Sequence, residues 1–159
     1  WPDADMLPIG AIKQDYSADN WTAFTFDEAK TMMTLWSIFR SPLMIGAEMT
    51  KLDDETLKLL TNKDIIDMNK NARHSHQVWR KEINGVEMIL WVAVCDKGGW
   101  YVAIFNAGER DNEITFPLTD LEIYDPVSGR DLWSGEQIGN ARELKVSLPA
   151  HGATAFLLN

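Results

Sequence analysis

Near residue 76 the hydrophobic pattern of this chain changes from a helical period to a period of two, and that switch limits the fold more tightly than any other feature. Before it, Thr25-Phe26-Asp27-Glu28 forms a capping box, in which the Thr25 hydroxyl accepts from the Glu28 amide while Glu28 reaches back. A helix is predicted from there to about residue 39. Its apolar positions, Ala29, Met32, Met33, Leu35, Trp36, Ile38 and Phe39, cover more than one face, as in a helix packed between a sheet and other helices. Pro42 ends it. The apolar run at 42–46, bounded by Pro and Gly, suits a strand buried on both faces, the habit of parallel sheets. Two short helices are predicted at 53–60 and 63–69, with Leu57, Leu60, Ile65, Ile66 and Met68 buried. Residues 11–24 read as a polar loop with Tyr16 and Trp21 as anchors.

From Gln77 onward strands are predicted at 78–83 and 86–94, joined by Asn84-Gly85, a pair suited to a type I′ turn because both residues accept positive φ. Further strands are predicted at 100–106, 112–116, 121–125, 131–134, 143–148 and 153–158. Short strands at that spacing form an antiparallel sandwich. The first part, with a buried strand between helices, is a piece of an α/β domain whose other strands are not in these residues. The expected fold class is therefore α/β and then all-β, divided into residues 1–75 and 76–159.

With 45% hydrophobic residues among 159, the composition is that of a globular chain. The net charge of −9 argues against nucleic acid and against an anionic membrane, since nothing basic is available to neutralise phosphates. Acidity of this kind is compatible with a neutral substrate such as a sugar. No apolar run approaches the 18 or more residues of a membrane span. Cys95, the one cysteine, sits in an apolar run and reads as a small buried hydrophobe. No compartment follows from the sequence; a leader preceding residue 1 would imply secretion or the periplasm.

The first ten residues, Trp1-Pro2-Asp3-Ala4-Asp5-Met6-Leu7-Pro8-Ile9-Gly10, carry the most chemistry. In an extended strand, positions i and i+2 share a face, about 6.5–7 Å apart. Asp3 and Asp5 would then project together beside Trp1 and Met6, and a carboxylate pair with aromatic and thioether neighbours suits a sugar pocket. No initiator Met precedes Trp1, so a larger protein is expected to have been cut at this point.

These residues resemble glycoside hydrolase family 27, the α-galactosidase (melibiase) family. Residues 1–10 are similar to its Trp-x-Asp-x-Asp-Met-Leu-x-x-Gly segment at the end of the seventh barrel strand. Met33-Thr34-Leu35-Trp36-Ser37-Ile38-Phe39-Arg40-Ser41-Pro42-Leu43-Met44 resembles the seventh helix and eighth strand, and residues 59–69 resemble the eighth helix. Asp131-Leu132-Trp133-Ser134-Gly135 and Leu148-Pro149-Ala150-His151-Gly152 are similar to recurrent turns of the family's C-terminal sandwich. The resemblance implies the last strands and helices of a (β/α)8 barrel followed by that sandwich. It also implies hydrolysis of terminal α-galactosides with retention, without metal or organic cofactor. Retention takes two carboxyl groups about 5–5.5 Å apart, which in the family follow the fourth and sixth strands, outside this sequence. No catalytic residue is therefore expected in this chain, and the chain alone is expected to be inactive. Asp5 is carried over as a hydroxyl acceptor and Met6 as an apolar wall, with Asp3 behind them and Trp1 shaping the mouth. Pro2 and Ala4 depart from the Asn and Pro of some members. The expected partners are a galactoside or related sugar, the rest of the barrel and, through exposed apolar faces, a second copy.

Plainer readings stand beside these. Asp5 could cap a turn, and Asp3 could bond backbone near the strand end. Same-face neighbours on one strand cannot attack a glycosidic centre from opposite sides, so Asp3 and Asp5 are not read as the catalytic pair. His74 and His76 read as solvated residues of a linker to the sandwich, and His151 as a turn residue. Met32, Met33, Met44 and Met68 read as core, and Glu48 as a weaker pocket candidate. Trp79, Trp91, Trp100 and Trp133 leave open a second function, a non-catalytic carbohydrate-binding or structural sandwich, if their rings are exposed in a line. Within the family, other α-linked sugars and arabinopyranosides are the alternatives to galactose.

Overall fold

The structure, a computed structural model, describes residues 2–12 and 21–159. The helical part holds α1 (Phe26–Ile38), a 3₁₀ turn (Met49–Lys51), α2 (Asp54–Leu60) and α3 (Lys63–Asn71). Eight strands follow: β1 (Ala72–Ile83), β2 (Val86–Cys95), β3 (Trp100–Asn106), β4 (Asn112–Pro117), β5 (Val127–Asp131), β6 (Gln137–Ala141), β7 (Glu143–Leu148) and β8 (Ala153–Leu158). They form a six-stranded antiparallel sheet in the order β1-β2-β3-β8-β5-β6 and a two-stranded sheet of β4 and β7.

The central strands of the large sheet, β2, β3 and β8, are buried on both faces. Toward the small sheet they turn Met88, Leu90, Val92, Val102, Ile104, Phe156 and Leu158, which meet Ile114, Phe116, Leu144, Val146 and Leu148. The alternate positions, Ala93, Tyr101, Ala103, Phe105, Ala153 and Ala155, face α1 and α3. Alternation along a strand puts successive side chains on opposite faces, so β2 and β3 read almost continuously apolar. The four alanines are small enough to let α1 lie close to the sheet. Met33 and Ile38 of α1 are buried there, each burial contributing roughly 1.5–3 kcal/mol.

Local signals act as their chemistry predicts. The Thr25–Glu28 box is formed, with Glu28 N donating to Thr25 Oγ1 at 3.2 Å and Thr25 N to Glu28 Oε2 at 2.7 Å. Asn84 and Gly85 turn with φ of 56° and 71° and join Ile83 to Val86. Cys95 is a free, buried thiol.

Other expectations are corrected. Residues 121–125 do not form a strand. Leu118–Leu121 is a 3₁₀ turn, Glu122 is left-handed, and the Ile123 amide bonds back to the Leu118 carbonyl. Leu121 and Ile123 are buried alternately with exposed Glu122 and Tyr124, so the turn copies the burial pattern of a strand. Residues 132–134 are likewise a turn, entered from the end of β5: Asp131 Oδ1 accepts from the amides of Trp133 and Ser134. The strands lie on either side of it, as β5 and the unexpected β6. His74 and His76 are not in a linker but in β1, where His74 is left-handed and the register against β2 slips between Arg73 and His76. Helix α3 passes straight into β1 at Ala72, leaving no linker between helix and sheet. Leu57 faces solvent on the short α2.

The 42–46 run is reduced to a single parallel bridge between Ile45 and Leu7. Leu7 N donates to Met44 O at 2.7 Å and Gly46 N to Leu7 O at 2.9 Å. Met44 is 58% exposed rather than core, because among the described residues no further strand lies against this pair. Burial on both faces, expected for this run, therefore does not hold within the described residues. No helix among the described residues is long and apolar enough to cross a membrane.

Candidate sugar-facing site at the start of the chain

Asp3, Asp5 and Met6 are all exposed at the head of the Leu7–Ile45 bridge; Trp1 and Tyr16 lie outside the described residues. The predicted common face of Asp3 and Asp5 is not kept. Asp5 has φ of 43°, in the left-handed region, and this interrupts strand alternation between the two. An L-residue pays steric strain there, which Asp tolerates better than most because its side chain bonds nearby backbone. That bond is present: Asp5 Oδ1 accepts from Met6 N at 2.7 Å. Met6 continues into the bridge and packs against Gly46, where an added Cβ would lie 3.0 Å from Met6 Cβ.

Three further bonds hold this segment from outside. Ala4 N donates to Ser41 Oγ at 3.0 Å, Trp36 Nε1 donates to the Asp5 carbonyl at 3.1 Å, and Leu7 N reaches Met44 O. Trp36 and Ser41 were legible in the sequence only as an apolar helix position and a residue before proline. No sequence signal marks either as a neighbour of Asp5. Chemically, the arrangement offers an exposed carboxylate with lone pairs free for hydroxyl groups, beside a thioether wall.

Glu48 is drawn to a different task. Its Oε1 accepts from the Thr50 hydroxyl and amide at 2.7 and 3.1 Å, capping the Met49–Lys51 turn. The Thr50 hydroxyl, and after it the amide, holds the Glu48 carboxyl below the ordinary glutamate range. His76 Nδ1 lies 2.8 Å from the His74 carbonyl, and no cluster of three or more metal-ligating side chains occurs among the described residues. His151 Nε2 pairs with Glu109 at 3.0 Å in its turn.

The tryptophans proposed as a stacking line pack against the two cores, Trp79 buried and Trp91, Trp100 and Trp133 half-buried. Trp79 is buried, edge-on to Phe116, with Nε1 donating to Asp120 at 2.9 Å. Trp91 and Trp133 lean on the helix-side core and Trp100 on the sandwich core. Trp133 Nε1 donates to Thr34 of α1 at 3.0 Å, which ties sheet to helix.

A cavity of about 810 Å³ lies away from the opening motif, between β6, β7 and the start of α1, where burial lowers the pKa of Lys30. Asp3, Asp5 and Met6 do not line it. An apolar groove of about 500 Å³ runs along α1 between Met32, Leu35, Trp36, Ile89, Trp91 and Phe105.

Comparison with known proteins finds two matches along the chain. Residues 1–71 match the family described as alpha galactosidase A, and residues 73–158 match the alpha galactosidase C-terminal beta sandwich domain. Alpha-galactosidase D of Emericella nidulans is 30% identical over 96% of this chain and 22% of its own length. The crystal structure of a family GH27 β-L-arabinopyranosidase from Geobacillus stearothermophilus is 38% identical, with a TM-score of 0.89, over 100% of this chain and 37% of its own. An α-galactosidase from Saccharomyces cerevisiae, solved with raffinose, is 19% identical with a TM-score of 0.82 and shares the fold over 100% of this chain. The chain thus spans about a fifth to a half of the proteins it matches.

Proposed function

This chain belongs to glycoside hydrolase family 27, the α-galactosidase family, and on that footing we propose that it is the C-terminal portion of a retaining exo-glycosidase releasing terminal α-D-galactose. The observation that carries the reading is the match of both parts of the chain, in order, to the barrel and the sandwich of α-galactosidases. Asp5 accepts a hydroxyl of the sugar, Met6 walls the pocket, and Asp3 and Trp1 complete its edge. Two carboxyl groups on the rest of the barrel, about 5–5.5 Å apart, break the bond by double displacement. The exposed Met6 and Met44 and the groove along α1 receive that remainder of the barrel. Residues 1–75 belong to the catalytic unit and residues 76–159 to the sandwich, with β1 crossing the division. Packing of the tryptophans against the two cores supports a bracing role for the sandwich over a sugar-stacking one.

A second substrate is favoured by one observation: the arabinopyranosidase is more similar in sequence than the α-galactosidase of Emericella nidulans, at 38% against 30%. β-L-Arabinopyranose has the ring hydroxyl pattern of α-D-galactopyranose without the C6 hydroxymethyl group, so Asp5 and Met6 could face either.

The test uses the complete enzyme with chromogenic α-D-galactopyranoside and β-L-arabinopyranoside, the product anomer being read by NMR. Retention on one of the two is expected. Asp5→Asn should raise KM for that substrate roughly tenfold or more, the loss of a charge-assisted bond of about 1.5–3 kcal/mol. No turnover of either glycoside, or inversion, would defeat the proposal.

A further inference from the structure

We propose that Trp36 and Ser41, gathered by Asn69, are positioning residues that lock Asp5 in its left-handed turn and so aim its carboxylate at the sugar; this rests on the reading of Asp5 as a sugar contact. The backbone on both sides of Asp5 is tied to one short stretch of chain. The amide before it, Ala4 N, goes to Ser41 Oγ; its own carbonyl takes the indole N–H of Trp36; the amide two residues on, Leu7 N, goes to Met44 O. Only the Asp5 Oδ1–Met6 N bond is local. A left-handed non-glycine residue is held when its surroundings over-determine it, and this one is held from three directions.

The holders are themselves fixed. Ser41 N donates to the Trp36 carbonyl at 2.9 Å, closing the chain after α1. From α3, Asn69 Nδ2 donates to the Ser41 carbonyl at 2.9 Å and the Trp36 carbonyl at 3.3 Å. Arg40 Nε returns to the Asn69 carbonyl at 3.2 Å, and Arg40 is itself left-handed, with φ of 65°. Ser41 is 1% exposed, so its hydroxyl works out of reach of competing water. The path therefore runs from the Asn69 amide to two carbonyls, from those residues to the two backbone groups beside Asp5, and from there to the carboxylate. Trp36 and Ser41 act on the sugar through the conformation of residues 4–6.

The experiment uses the complete enzyme carrying Trp36→Phe, Ser41→Ala, Ser41→Thr or Asp5→Asn, with Trp133→Phe as control. The control removes an indole bond of the same kind, to Thr34. Competitive inhibition by galactose and by L-arabinose reads binding without chemistry. Trp36→Phe and Ser41→Ala should each weaken inhibition by the sugar the enzyme releases ~5–10-fold, with kcat falling less than KM rises. Ser41→Thr should recover most of the loss, and Trp133→Phe should leave inhibition unchanged. If Trp36→Phe does not fold, the Ser41→Ala and Ser41→Thr pair decides alone. Unchanged inhibition in folded Ser41→Ala, with Asp5→Asn impaired, overturns the positioning role and leaves the pocket standing. Unchanged inhibition in Asp5→Asn overturns the pocket and the positioning role together.

Discussion

Replacing Asn106 with Asp should destabilise this chain strongly at neutral pH and less in acid. Asn106 ends β3 and is 1% exposed. Its Nδ2 donates to the carbonyls of Arg110 and Pro149, both at 2.8 Å, and its Oδ1 accepts from Gly108 N at 2.9 Å. One side chain thereby joins the turn after β3 to the turn before β8. Aspartate keeps the shape and the Gly108 bond, but turns an oxygen toward the two close carbonyl oxygens and that of Leu148, 3.4 Å away. Two hydrogen bonds of about 1 kcal/mol each are lost, and the stranded carbonyls add desolvation cost, so the total is on the order of 3–4 kcal/mol. Against a whole stability of about 5–15 kcal/mol this is a large loss. Burial and the facing carbonyls favour the protonated acid, so the folded-state pKa of the new carboxyl lies above its unfolded value. The folded variant then binds the proton more tightly than the unfolded one, and stability is regained as pH falls through the folded pKa. Urea unfolding followed by tryptophan fluorescence at pH 7.5 and pH 5 would measure it. The gap from wild type should be about 3 kcal/mol at the higher pH and at least ~1 kcal/mol smaller at the lower. A gap that does not change with pH, or one under ~1 kcal/mol throughout, would refute the assignment of Asn106 as a buried donor.

Thr25→Ala should cost about 1 kcal/mol through loss of the α1 cap. The Glu28 carboxyl is lowered first by its bond from the Thr25 amide and then by the Thr25 hydroxyl. Its contribution is present above the ordinary glutamate range and fades as pH falls through the depressed value. NMR titration should show Glu28 moving upward in the variant, and an unmoved Glu28 would contradict the role of the hydroxyl. The isolated chain should self-associate through Met44 and Met6, the latter 49% exposed. A single monomer species across the concentration range in sedimentation velocity would count against this.

Elements with a purely local cause were legible in the residues. The Thr25–Glu28 box, the Asn84-Gly85 turn and the strands of residues 100–106, 143–148 and 153–158 each follow from chemistry within a few positions. The opening decapeptide carries its resemblance to the family in its own residues. Misreadings arose where two conformations give the same burial. Leu121 and Ile123 are inward in a 3₁₀ turn as they would be in a strand. Tertiary contact separates the two, because the Asp120 carboxylate of that turn is bound by Trp79, 41 residues away.

By itself, then, the sequence determined the order of helical and stranded parts, the hairpin and the cap, since those depend on neighbours in the chain. The three-layer packing of the large sheet's central strands, the packing of the tryptophans against two cores and the left-handed turn at Asp5 were decided by tertiary structure. Asp5 is the sharpest case. Alternation of residues 3–6 predicts an extended strand, while the bond that Ala4 N donates to Ser41, 37 residues on, and the bond from the indole of Trp36 hold the backbone out of it. A backbone held by distant partners leaves no periodic trace in the residues that adopt it.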